Sequence, residues 1–180
     1  MLIQHLGAGS GVLLMAGDTG EYDPNRKFSA SLLDRLIDEN PFGAAEKPPL
    51  RVFGRGEFAR NLMRDIGWLL NTRITERFDV GEEAGPRTVL DFGIDDWSHL
   101  SPANYEHRDL LAANVQEALM AFEPRLAISR VDADLVPGRG QTLRLRFDAM
   151  IVADGAREPV SFDLVVDRST GTVKFDGVQS

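Results

Sequence analysis

Glu123 is the acidic residue whose setting most invites a chemical reading. In the stretch LMAFEPRLAISR (119–130), a glutamate, a proline and an arginine separate two apolar runs. Glycoside hydrolysis needs two carboxyl groups facing each other across a cleft, roughly 5–9.5 Å apart, one of them kept protonated by poor solvation. Glu123 supplies one carboxyl, and Asp91, Asp95 or Asp96 the second. Arg125 opposes this reading, because a guanidinium paired with Glu123 favours the ionised form, the wrong direction for a general acid. Little chain is left over to build a sugar cleft. The competing reading is structural. Pro124 cannot continue a helix and disfavours α geometry at Glu123. Residues 123 and 125, two apart, lie on the same side of an extended segment. There they pair with each other, or each with a group on another chain.

Other chemistries find less support. VFGRGEFARN carries Gly54-x-Gly56-x-x-Ala59 opening a helix, which looks like a dinucleotide fingerprint. No alternating strand–helix pattern follows it, so the competing reading is a flexible helix entry. His5, His99 and His107 are the only histidines, and no pair has helical ligand spacing. DADLVPGRG and DFGIDDW put acids beside turns without matching a calcium loop. A Gly-x-Ser-x-Gly elbow is missing and there is no cysteine, which excludes nucleophilic triads of either kind, disulfides and thiolate metal sites. The expectation is no catalytic residue, no metal, no cofactor and no small-molecule substrate.

The elements that position these residues fit one domain. The chain has 180 residues, 43% hydrophobic, with ten Phe, enough for a substantial core. Its net charge of −8 argues against nucleic acid as a partner. Positive charge is nearly all Arg, with Lys only at 27, 47 and 174. Arg suits bidentate interface contacts, and codon bias would look the same. No stretch reaches the length of a membrane span, and a cytoplasmic setting without membrane insertion is expected. The start, MLIQHLGAGSGVLLMAGDTG, resembles a signal peptide but lacks a positive n-region. Residues 1–14 read as a flexible tail or as the product of a start codon set too far upstream, and 1–28 as a disordered leader.

Residues 29–49 read as a helical arm and linker, and 50–180 as the main domain. SASLLDRLID (29–38) is a short amphipathic helix with Leu32, Leu33, Leu36 and Ile37 on its apolar side. GEFARNLMRDIGWLLNTR (56–73) is a long helix with Phe58, Leu62, Ile66, Leu69 and Leu70 in one stripe, and Arg60 and Arg64 elsewhere on its surface. HRDLLAANVQEALMAFEP (107–124) is a second, with Leu111, Val115, Leu119 and Phe122. Residues 74–106 read as mostly irregular. The period then changes from 3.6 to 2. Strands are predicted over 126–133, 142–153, 160–167 and 172–176, joined by Gly/Pro-rich hairpin loops. This is an α+β domain: helices packed on one face of a small antiparallel meander sheet of about four strands, with an N-terminal helical arm.

SASLLDRLID, LLNTR, VLDFGIDD, FEPRL and VSFDLVVDRSTGTVKFD, in that order, resemble the baseplate proteins of type VI secretion systems (the TssE type). These are a branch of the phage-baseplate-wedge family once labelled lysozyme-like. The SLLDRL arm points to the secretion branch. The resemblance implies a non-enzymatic wedge component of a contractile machine, with other wedge subunits and the contractile sheath protein as partners. It also implies a sheet edge like a sheath-subunit handle, on which the first sheath ring docks and polymerisation is nucleated. Glu123, Pro124 and Arg125 match the family's Glu-Pro-Arg signature. Asn71 and Arg73, at the end of the first long helix, are a second candidate contact, against a plain helix terminus. Leu32, Leu33 and Leu36 are expected to dock on a wedge subunit, against packing on the chain's own core. The alternatives are the counterpart protein of a contractile phage tail or phage-derived particle, and, from another class, a peptidoglycan hydrolase.

Overall fold

In the computed structural model, residues 12–14, 27–36, 52–74 and 87–175 are described. The expected linker at 39–49, most of VGEEAGPR and the question of residues 1–11 lie outside them. The elements are β1 (Val12–Leu14), β2 (Lys27–Ser29), α1 (Leu32–Leu36), β3 (Val52–Gly54), α2 (Arg55–Asn71), a 3₁₀ turn (Val89–Asp91), α3 (Tyr105–Phe122), β4 (Leu126–Leu135), β5 (Thr142–Ala153), β6 (Ala156–Asp167) and β7 (Thr172–Phe175).

The period-2 segment folds as a continuous antiparallel meander, β4 to β7, with β1 added antiparallel beside β6. The inward residues are those the alternation selects. Leu143, Leu145, Phe147, Ala149 and Ile151 on β5 are buried, as are Val160, Phe162, Leu164 and Val166 on β6. Phe147 stacks on Phe162, its partner across the strands. The helices cover this face, α3 against β4 and α2 against β7. The α2 stripe (Phe58, Leu62, Ile66, Leu69, Leu70) is wholly buried, and Leu111, Val115 and Leu119 of α3 join it in one core. The chain is therefore an α+β domain.

Three departures from the expected elements have physical causes. β6 begins at Ala156, ahead of the expected 160, because Asp154 and Gly155 form the whole hairpin turn. Both have positive φ (49° and 75°), the requirement of a two-residue turn between twisted strands. Pro159 is tolerated within β6 because, among the described residues, only β5 is paired with it there, β1 and β7 pairing at 160–162 and 164–167. β4 carries a register shift at Ser129, between Ile128 and Arg130, where two residues face one. Finally, the expected disordered leader does not describe Val12–Leu14, which pairs with β6, nor Lys27 and Phe28. Phe28 is fully buried and stacks on Phe58 with ring centroids 4.4 Å apart. It anchors the arm, so the arm begins before residue 29.

Candidate partner-binding site

The Glu-Pro-Arg junction is closed within the chain. Glu123 is the C-cap of α3, and its N–H donates to the Leu119 carbonyl. Pro124 supplies no N–H to continue the helix. The Glu123 carbonyl then accepts from Leu126 N–H, and Val152 N–H donates to the Arg125 carbonyl, which starts β4 in register with β5. The side chains lock the same turn. Arg125 Nε and a terminal nitrogen donate to the two Glu123 oxygens, both at 2.6 Å. The other acceptor of Arg125 is Asp65 of α2, at 2.7 Å.

From Asp65 the network continues outward. Arg64 donates to Asp65 at 2.8 Å and to Asp34 of α1 at 2.6 Å. Acid and base thus alternate from the arm to the first strand: Asp34, Arg64, Asp65, Arg125, Glu123. Glu123 is 4% exposed, so its charge is compensated almost wholly by Arg125. Burial works to lower the Arg125 pKa, but its bonds to Glu123 and the charge of Glu123, then Asp65, reverse this and raise it. A bidentate guanidinium–carboxylate pair of this kind holds an orientation as well as charge. Asp34, Arg64 and Asp65 carried no signal in the sequence. A periodicity test counts them as solvent-facing, and only the fold sets their elements side by side.

The arm is inverted relative to an ordinary amphipathic helix. α1 buries Asp34 and leaves Leu32, Leu33 and Leu36 at 75%, 47% and 81% exposure. Ser31 caps the turn, its hydroxyl accepting from Asp34 N–H and donating to the Asp34 carboxylate. Ser29 bonds the Asp154 carboxylate at the β5–β6 turn, a second tie to the body. The competing reading, in which these leucines pack on the chain's own core, is not what the structure shows. Desolvation pushes the Asp34 carboxyl up, but hydrogen bonds from Ser31 and Arg64, and the Arg64 charge, bring it below its ordinary value. The arm's attachment through Asp34 is therefore complete above the ordinary Asp pKa of about 3.9 and is lost as pH falls through the depressed value. Acid titration followed by limited proteolysis should release the arm below that point, and Asp34→Asn should remove this pH dependence.

Asn71 and Arg73 are engaged inside the domain. Asn71 Nδ2 donates to the Gly67 and Val173 carbonyls at 2.7 and 3.0 Å, and its Oδ1 accepts from Val173 N–H at 2.9 Å. Its amide thus substitutes for a strand partner along β7. Arg73 donates to the Leu70 and Gly171 carbonyls at 2.8 and 2.7 Å and lies over Trp97. The stretch NTR latches the end of α2 to the β6–β7 turn. Asn71→Ala leaves the Val173 amide without its partner and should cost about 2 kcal/mol by chemical denaturation.

The stretch DFGID backs this latch. Ile94 N–H donates to the Thr72 carbonyl and Ile74 N–H to the Ile94 carbonyl, both at 3.0 Å. Gly93 sits at φ +128°, and a Cβ there would lie 2.6 Å from the Thr72 carbonyl oxygen. Asp95 and Asn114 bond each other, and Asp96 caps Ser98, so both acids are used as local fasteners. The Gly54 entry to α2 has extended backbone (φ −70°, ψ 164°) of a kind any residue adopts. Arg55 of that entry is buried in a bidentate pair with Glu158 of β6, at 2.6 and 2.7 Å. Among the described residues no group of acidic or histidine side chains has metal-binding spacing. Nor is any helix there long and apolar enough to cross a membrane.

The site, among the described residues, is thus an ion-paired scaffold with the outer edge of β4 unpaired and an outward leucine cluster on α1. The family model for the baseplate wedge protein gp25 matches residues 57–156. The chain belongs to that family of baseplate wedge proteins. No curated protein matches it. A solved structure from Geobacter sulfurreducens, described as a candidate tail lysozyme, is 20% identical, with a TM-score of 0.42 over 68% of this chain and 93% of that one. That likeness is too distant to bear on function.

Proposed function

We propose that this wedge protein is the baseplate component of a bacterial type VI secretion machine on which the contractile sheath docks and begins to polymerise. The observation that carries this reading is the edge of β4. Among the described residues β4 is paired only with β5, and the backbone groups on its other side form no ladder there. Such an edge accepts a strand from a partner chain, with main-chain hydrogen bonds setting register. The closed Glu123–Arg125 pair fixes where that strand starts, so the signature acts on the sheath contact through β4. The exposed leucines of α1 support docking on another wedge subunit by helix-in-groove contact. The non-enzymatic reading is supported by Glu123, both of whose oxygens are held by Arg125, so that this carboxylate is not available as a general acid.

The counterpart in a contractile phage tail is the second reading, since the family model is named for a baseplate wedge protein without reference to secretion. The test is co-purification of the chain with the wedge and sheath subunits of its own organism, using Leu32→Asp/Leu36→Asp beside the wild type. Loss of wedge capture by this folded variant, with sheath capture retained, is the expected result. Retained wedge capture would contradict the role of the arm, and clearing of peptidoglycan by the purified chain would contradict the non-enzymatic reading. Loss of sheath assembly at the secretion machine in a deletion strain separates it from the phage reading, which predicts loss of tail particles instead.

A further inference from the structure

The solvent side of β4 carries Arg130, Asp132 and Asp134, and the strand already beside it shows what such a row accepts. In the β4–β5 register Asp134 faces Arg144, Asp132 faces Arg146 and Arg130 faces Asp148. All three cross-strand pairs on this face of the stretch are of opposite charge, so Arg-x-Arg-x-Asp on β5 is the complement of Arg-x-Asp-x-Asp on β4. Opposite charges directly across an antiparallel pair stabilise it, and like charges destabilise it. The arginines of β5 are turned towards its other neighbour. Arg146 Nε lies 3.2 Å from Asp163 of β6, and Arg144 Nε 4.0 Å from the same carboxylate. Along β4 itself Arg130 Nε pairs with Asp132 at 2.7 Å on the solvated face, an exchangeable pair that an incoming strand must reopen, and Asp134 is exposed beside it. The register shift at Ser129 marks where a straight partner strand must stop.

We propose that the free edge of β4 is read by charge: it takes an antiparallel strand of a partner protein bearing two basic residues at alternate positions, followed by an acidic residue two further on. This deepens the docking-edge reading above and rests on it. The occupant repeats the pattern of β5 on the opposite side of β4, with its basic residues facing Asp134 and Asp132 and its acid facing Arg130. On a solvated face these pairs select the partner and its direction more than they add affinity. The same charges disfavour one self-pairing, since two β4 strands centred on Asp132 would set that carboxylate against itself.

The test uses the full chain and two labelled peptides of about ten residues with the same apolar alternation. One carries Lys-x-Lys-x-Glu and the other Glu-x-Glu-x-Lys. Fluorescence anisotropy should show the first binding about tenfold more tightly than the second, from roughly three pairs of a few tenths of a kcal/mol each changing sign. Asp132→Lys/Asp134→Lys, with unchanged circular dichroism, should invert the preference. Equal binding of both peptides would overturn the charge code and leave β4 as a docking edge. If neither peptide binds, the docking-edge reading fails along with it. Self-association in sedimentation that Asp132→Lys/Asp134→Lys abolishes would assign the edge to a second copy of the chain and overturn the proposal.

Discussion

Arg125→Ala should cost about 3–5 kcal/mol of folding stability, because it leaves the Glu123 carboxylate buried without its counter-charge. In a chain of 180 residues that corresponds to a fall in Tm of about 10–15 °C. Two further contacts go with it, the hydrogen bond to Asp65 and the packing of the guanidinium over Phe58. Arg125→Lys keeps the charge but cannot make the paired Nε and terminal bonds, so it should recover only part of the loss. Differential scanning calorimetry of the three chains checks both statements. The result matters for function: a lost partner interaction in Arg125→Ala cannot be read as a lost contact until the variant is shown to fold. A variant as stable as the wild type would mean that the pair forms only in the assembly.

Gly93→Ala should be comparably severe, costing at least about 3 kcal/mol, through a different cause. A non-glycine residue at a φ far into the positive region carries about 1–3 kcal/mol of strain. Here a Cβ would also meet backbone, 2.6 Å from the Thr72 carbonyl oxygen, where no flexible side chain can yield. Relief requires moving Ile94 from its bonds to residues 72 and 74, which opens the latch between α2 and the β6–β7 turn. Chemical denaturation of Gly93→Ala beside Gly67→Ala is the comparison. Gly67 lies within α2 with open space at its Cβ, and alanine is the better helix former, so that variant should be no less stable.

Much of this fold was legible in the sequence, and the reason is periodicity. β5 and β6 bury the residues that alternate, and α2 buries its stripe, because burial of one face is what fixes these periods. Pro124 marked the end of α3 for the same local reason. Polar partnerships were not legible. Asp34, Arg64 and Asp65 look like solvated helix residues until α1 and α2 are packed, and Arg55 meets Glu158 across 103 positions of sequence. Asn71 and Arg73 were recognised as special, but their hydrogen bonds turn inward to β7 and its turn. Phe28 was missed because its stretch of three strand residues is too short to show a period.

The arm and the edge together give a physical picture of a wedge component. Leu32, Leu33 and Leu36 face out because Asp34, not a leucine, is the group that ties α1 to the body. The chain of ion pairs from Asp34 to Glu123 then sets the arm and the start of β4 in one rigid relation. A partner held at the leucines and a strand held at β4 would thereby be oriented against each other, as the proposed sheath docking needs.

Hydrogen exchange along Leu126–Leu135, in the chain alone and with the sheath subunit of its organism, tests the central claim most directly. The account predicts that outward-facing amides of β4 exchange quickly in the free chain and become protected when the sheath subunit binds, with β5 unchanged. Sheath binding that leaves β4 exchanging as before, and protects another surface, would contradict it.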